Sequence, residues 1–460
     1  MNTTPLHKSI PLVPSLKIPL HAAQLINNPL KAISNMMKSY GDIFNLKLAK
    51  DSNIIFLNHP DYIKHVLKDN QDNYSRGKAV KQSSITGLHE MLGNGIFMSD
   101  GEDWEVQHKL LKGLFSVTAI QSTLPFIEEE LAQLIKTIHH QIARDPIINI
   151  EREINLLMLR IMLRTQVSNE VKFNYLEIYD ALTNRMEASS VGALFKFQLK
   201  AFALKPVGIN YKYTKHEGYL AILNAIADKL VQDLINETFK PSGLFSLLLE
   251  DYKLQKVTTT DIRDQFMNFV FAAFDTTATA ITWTMFNLAT IPELQKKVME
   301  EIKLSITNDP TINIANRQLP YLDLVIKETL RLYPPVWSYA REAQQEDVLD
   351  DYIIPAKSIV VISSYALHRH KSFWTNAESF NVENFEKENF KGKNFAYIPF
   401  GQGKRMCIGR ALGEYQIKIV VGELLQNFKF EPSSKKHPEI NANIIIKGAT
   451  PVKLKFTVRG

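Results

Sequence analysis

Cysteine is almost absent from this sequence: Cys407 is the single one in 460 residues. That excludes an intramolecular disulfide framework and any zinc or iron–sulfur site built from several cysteines, and it suits a reducing compartment. Long apolar runs are missing at the N-terminus. Met1 to Ile26 is broken by Pro5, Pro11, Pro14 and Pro19 and carries Lys8 and Lys17. Nothing there approaches the roughly 20 apolar residues that cross a bilayer, and it does not read as a signal peptide. Blocks of Lys and Arg are missing as well. The 54 basic and 48 acidic residues leave a net charge of +6, and no nucleic-acid-binding signature accompanies it, so nucleic acid is excluded as a partner. No repeat, low-complexity tract or Gly/Ser linker divides the chain. These absences predict a cytoplasmic, monomeric protein without a transmembrane anchor.

What is present is ordinary globular material, 45% hydrophobic and 22% charged, sorted unevenly along the chain. Up to about Ser99, a helical pattern (Pro29–Tyr40) is followed by the strand-like runs Asp42–Leu48 and Asn53–Leu57. From Trp104 to about Asp309 the apolar spacing is almost wholly helical. The longest candidate helix runs from Thr259 to Thr290, with Thr258 and Asp261 at capping-box spacing and Pro292 after its end. Ser358–Ser364 reads as a buried strand, Phe373–Asn394 as an irregular connection and Cys407–Phe428 as a helix. Strand signals recur around Ile444–Ile446 and Val452–Val458.

The lone cysteine stands in Phe400–Gly409, at the start of that last predicted helix. A thiolate is favoured where free backbone N–H groups and the helix dipole meet it. Gly403 and Gly409 allow close backbone approach and unusual dihedrals, and Arg405 offers a cation suited to a carboxylate. The bland alternative is a buried, inert cysteine. Neither the Walker spacing nor the dinucleotide fingerprint fits the run.

The segment resembles the haem-binding signature of the cytochrome P-450 monooxygenases. Phe400, Gly403, Arg405, Cys407 and Gly409 match it, with Pro399 and Ala411 also typical. Three further motifs follow the family's order. Glu328 and Arg331, before Leu332-Tyr-Pro-Pro335, are similar to its buried ion pair. Ala272-Ala-Phe-Asp-Thr-Thr277 is similar to its oxygen-activation motif, with Ala273 where glycine is preferred. Gly101–His108 is similar to the helix that holds a haem propionate, Trp104 being conventional and His108 standing where arginine is usual. Arg341 matches another propionate-binding arginine. In Phe380–Phe385, Val382 and Asn384 replace the family's proline and arginine, which removes the third charged partner of the Glu328–Arg331 pair, though Asn384 can still hydrogen-bond. His368 and His370 lack a third ligand and read as structural.

The resemblance implies a mainly α fold with a minor β region: one large domain, 1–460, with an extension at 1–27 and a core at 28–460. Haem b (iron protoporphyrin IX) would lie between the long central helix and the cysteine loop, with Cys407 as its metal ligand. Phe400, Gly403, Arg405, Gly409, Trp104, His108, Arg341, Ala272 and Ala273 would bind the cofactor. Thr276 and Asp275 would be catalytic, delivering protons to dioxygen, the co-substrate. A soluble bacterial-type member is expected. Its electrons, ultimately from NAD(P)H, would come from a separate ferredoxin or flavodoxin with its reductase, docking near Lys404, Arg405 and Arg410. The chain's extent leaves no room for a reductase domain. Phe97, Phe271, Val336, Trp337 and Ala449, with Ala79–Phe97 and Ala193–Leu204 around them, would line a pocket for a fatty acid, terpenoid or steroid. An isomerase or dehydratase needing no external electrons, and a non-catalytic haem sensor, remain alternatives.

Overall fold

The computed structural model describes residues 8–49, 52–77, 88–188, 215–309 and 313–459. The chain forms two compact units. The first comprises residues 1–86 and 330–407, the second residues 87–329 and 408–460.

The first unit is built on a five-stranded sheet in the order Ile43–Ala49, Ser52–Leu57, Ile359–Ile362, Tyr339–Ala343, Tyr74–Ser75. The first two strands, expected as strand-like runs, pair antiparallel, with Phe44 opposite Phe56. Ile54–Leu57 run parallel to Ile359–Ile362. Such pairing needs a long crossover, and about three hundred residues of chain intervene here, as the numbering shows. Ile55, Leu57, Val360 and Ile362 alternate into one apolar cluster, while Phe44, Leu46 and Phe56 enter another. Residues assigned above to an N-terminal extension contribute to both: Ile10 joins the first cluster and Val13 the second. A helix not anticipated among the N-terminal prolines spans Ile18–Asn27.

The second unit is dominated by helices. Its longest spans Thr259–Thr290, 32 residues, between the boundaries that the cap residues predict. The Thr258 hydroxyl accepts from the Asp261 N–H at 3.2 Å, and the Asp261 carboxylate accepts from the Thr258 N–H at 2.8 Å. This reciprocal cap satisfies donors that the first turn would otherwise leave bare. At roughly 1.5 Å per residue the helix is about 48 Å long. It packs against the helices Ile150–Gln166, Lys215–Ile235 and Arg410–Asn427. A three-stranded sheet joins Ile147–Asn149, Lys453–Val458 and Phe428–Pro432, and Ile440–Ala442 pairs with Ile446–Gly448 as a hairpin. The strand Ile147–Asn149 lies within the region read as almost wholly helical.

The last helix begins at Arg410 and not at Cys407, with Gly409 as its N-cap. Apolar spacing carried the expected start three residues too far, because Cys407 and Ile408 fit the pattern but lie in the preceding loop.

Arg331 and His368 lock the region leading to that loop. The Arg331 guanidinium, fully buried, donates to the carbonyls of His368, Ala377 and Ser379 at 2.7, 2.6 and 2.9 Å. Backbone carbonyls thus satisfy the buried guanidinium. The His368 Nδ1–H donates to the Arg331 carbonyl at 3.1 Å, and Nε2 accepts from the Ile398 N–H at 2.9 Å. Burial first, and then the neighbouring Arg331 charge, push this imidazole's pKa down to about 3. The unfolded chain binds the proton near pH 6.5, whereas the folded chain refuses it until about 3. Stability from this group is therefore complete above about pH 6.5 and is lost as pH falls, by up to about 1.4 kcal/mol per pH unit. Urea midpoints measured between about pH 7 and pH 4 should fall accordingly, and His368→Gln should be less stable at pH 7 but show a flatter pH slope.

Candidate functional site

The cysteine loop is held by its own backbone. The Cys407 N–H donates to the Phe400 carbonyl at 2.8 Å and the Met406 N–H to the Gly403 carbonyl at 3.1 Å. The Tyr339 hydroxyl donates to the Ile398 carbonyl at 2.8 Å and accepts from the Gly401 N–H at 3.1 Å. Burial drives the Tyr339 phenol far above its usual range, so it stays a neutral donor. Sequence reading singled out Arg341 in this strand and missed Tyr339, because nothing local to a strand tyrosine reveals a loop some sixty residues on. The Cys407 thiol itself is exposed.

Gly401 and Gly403 take φ of +70° and +74°. A Cβ on Gly403 would fall on the Leu67 carbonyl. Gly409, expected to be unusual, has φ −86°, a value open to any residue, so the conformational demand falls on Gly401 instead. Phe400 and Arg405 are half-buried. Lys404, exposed, already pairs with Asp72 at 2.6 Å, while its N–H donates to Gln71 at 2.8 Å. In the same unit Arg341 is buried and donates to the Ala340 carbonyl at 2.8 Å. The carbonyls of Val336 and Trp337 accept from the Ser364 and Ser363 hydroxyls at 2.7 and 3.1 Å, and both side chains are half-buried.

In the second unit, the long helix is buried from Phe266 to Phe271 and again from Ala278 to Ala289. Between these stretches Ala272 is exposed and Ala273, Thr276 and Thr277 are half-buried. At i, i+1, i+4 and i+5 they form one strip of small side chains on one helix face. The Thr276 hydroxyl donates to the Ala272 carbonyl at 2.7 Å, the back-bond that often bends a helix. Its oxygen stays able to accept.

Asp275 departs from expectation. It was expected to relay protons from solvent, yet its side chain is 1% exposed, and Oδ1 lies 2.7 Å from Lys447 Nζ. Burial pushes the Asp275 carboxyl up, and Lys447 opposes that shift. Removing one partner of such a buried pair costs about 3–5 kcal/mol. Lys447 was not foreseen: its partner lies far away in sequence, and its hairpin was marked only for apolar residues.

Phe97 and Phe271 meet edge to face with centroids 5.5 Å apart. The loop carrying Phe97 is pinned by polar residues of the long helix. Asp264 accepts from the Asn94 N–H at 2.7 Å, Gln265 from the Ile96 N–H at 3.2 Å and Asn268 from the Phe97 N–H at 2.8 Å. Trp104 is buried and stacks on His108 with centroids 4.7 Å apart. Ala449 is exposed, and its N–H donates to the Glu439 carbonyl. Glu328 is fully buried here, as Arg331 is in the first unit. The expected lining residues 79–87 and 193–204 lie outside the described residues.

Each unit carries residue types that suit haem b. A sulfur stands exposed on a loop whose backbone is already committed. Trp104, His108, Arg341 and Arg405 are types that hold carboxylates, and the strip at Ala272–Thr277 offers small side chains with one hydroxyl. Gly403→Ala tests the loop's geometry. Positive φ alone costs about 1–2 kcal/mol, and the Leu67 carbonyl adds a clash. The expected result is loss of most bound haem, read as Soret absorbance per protein, with far-UV circular dichroism retained.

A family model described as cytochrome P450 matches residues 11–456. Cytochrome P450 4c21 of Blattella germanica is 26% identical, the alignment covering 88% of this chain and 83% of that protein. The mitochondrial cholesterol side-chain cleavage enzyme of Hypanus americanus is 25% identical over 91% of this chain and 83% of its own. Both relatives are eukaryotic, so they lend no support to a soluble bacterial-type member. The crystal structure of the cytochrome P450DA haem domain superposes with a TM-score of 0.83 at 20% identity, over 99% of each chain, which shows the fold. No single helix among the described residues is long and apolar enough to cross a membrane. Members of the family bind haem b through a cysteine thiolate and use O₂ with NAD(P)H-derived electrons passed on by partners. With the family signature spanning nearly the whole chain, this protein belongs to the cytochrome P450 family and is a P450 monooxygenase.

Proposed function

We propose that Cys407 is the thiolate that holds the haem, and that the enzyme hydroxylates a lipophilic small molecule of fatty-acid, terpenoid or steroid size. The observation that carries this is Cys407 itself: the chain's one cysteine, with an exposed thiol on a loop fixed by Tyr339, Phe400 and Gly403. When bound, the haem supplies the oxygen chemistry, and a thiolate ligand favours O–O cleavage.

The chain's own residues do the rest. Trp104, His108, Arg341 and Arg405 hold the cofactor's carboxylates. Thr276 offers a hydroxyl on the open strip of the long helix to hold a proton where dioxygen reacts, and Asp275 is the acid next to it. Phe97, Phe271 and Ala272 give an apolar lining beside that hydroxyl. The relative that acts on cholesterol agrees with a lipophilic substrate. Lys447 is paired with Asp275, so it gives a ligand's carboxylate little to bind.

A ferredoxin or flavodoxin is the electron donor we infer. Lys404 pairs with Asp72, and Arg410 with Glu414 at 3.1 Å. Both pairs are surface pairs, worth about 0–1 kcal/mol, so an acidic partner can exchange with Asp72 and Glu414 at little cost.

Spectral titration of the purified holoprotein against a panel of fatty acids, terpenes and steroids tests the substrate class. A spin-state shift with one class is the expected result, and none with any class would remove the proposal. With the titrating compound present, Thr276→Ala should release several-fold more hydrogen peroxide per NAD(P)H oxidised, and an unchanged ratio would deny Thr276 its proton role.

A further inference from the structure

Four titratable groups from four elements meet beside the long helix. They are Asp275 on the helix itself, Lys447 on the strand Ile446–Gly448, Glu151 on the helix Ile150–Gln166 and Tyr179 on the helix Tyr175–Ala188. One ammonium faces two carboxyl groups. It lies 2.7 Å from Asp275, whereas Glu151 spends Oε2 on the Val452 N–H at 3.0 Å. Burial pushes the Glu151 carboxyl up and the Tyr179 phenol up. Burial pulls Lys447 down, but Asp275 and Glu151 outweigh it and leave it above its ordinary value. Asp275 and Lys447 form the close ion pair of the cluster.

We propose that Lys447 is the positioning residue of Asp275: it holds that carboxylate ionised and fixed, and so ties the acid next to Thr276 to the hairpin Ile440–Gly448. The inference rests on the reading above that Asp275 serves proton supply. Its physical core is the pair's geometry. Asp275 is 1% exposed and Lys447 23%, so within this cluster water reaches the ammonium before the carboxylate. A buried carboxylate stays ionised only with a partner. A displacement of the hairpin that draws Nζ away would therefore load Asp275 with a proton, and its return would release one. The family resemblance placed Ala449, next to this hairpin, in the substrate lining. The pair makes the hairpin a lever on the acid as well.

The test is an infrared pH titration of purified holoprotein, following the carbonyl stretch of protonated carboxyl groups from about pH 5 to pH 9. Asp275→Asn identifies the band that belongs to Asp275. In Lys447→Gln the midpoint of that band should rise by at least about one pH unit, a tenfold change in the proton equilibrium. Lys447→Arg, which keeps the charge, should leave it near the wild-type position. An unmoved midpoint in Lys447→Gln, or an equal displacement in Lys447→Arg, overturns the assignment. Should Lys447→Gln fail to fold, the double variant Lys447→Gln/Asp275→Asn decides. Its neutral pair must restore folding, and a double variant that also fails overturns the proposal. The Soret band of the same samples reports haem binding, so failure of the functional reading registers separately.

Discussion

A helix buried on nearly every side must find partners inside the protein for most of the polar side chains it carries, and Thr259–Thr290 is such a helix. That constraint shapes the second unit. Asp264, Gln265 and Asn268 spend their oxygens on three successive parts of the loop that carries Phe97. Gly93 and Gly95 are there because a Cβ on either would strike Asp264 or Asn268. Thr284 bonds back to Ala280, and Asn287 reaches Thr329. Asp275, the costliest of these residues, takes Lys447. The stretch that escapes burial, Ala272 to Thr277 on one face, is the one whose residue types match the family's oxygen-activation motif.

The first unit meets a different demand. A thiolate ligand must be presented on a backbone that does not give way, and here the rigidity comes from main-chain geometry. Positive φ at Gly401 and Gly403, the Leu67 carbonyl packed against Gly403 and the Tyr339 hydroxyl between Ile398 and Gly401 fix the loop from three directions. Behind it, His368 and Arg331 tie together segments on either side of the strand Ile359–Ile362. Three carbonyls, those of His368, Ala377 and Ser379, satisfy the buried Arg331 guanidinium.

Legibility in the sequence followed the range of the interaction. The long helix was read to its ends because Thr258, Asp261 and Pro292 act within a turn of where they stand. The cysteine loop was recognised because its residues are contiguous. Where a partner lay far off, reading failed: Lys447 for Asp275, Tyr339 for Gly401 and Leu67 for Gly403 are all invisible to local pattern. The start of the last helix was misplaced by three residues for a related reason. Apolar spacing records which residues are compatible with a helix, whereas Gly409 decides where it begins. The surface cations were read correctly as charges but not as pairs, because Asp72 stands far from Lys404 in the chain.

The account turns on one bond, between Cys407 and the haem iron. X-ray absorption at the iron edge of purified holoprotein measures it directly. One sulfur among the iron's nearest neighbours, absent in Cys407→Ala, is the result predicted. An iron surrounded only by nitrogen and oxygen in the unaltered protein would contradict it.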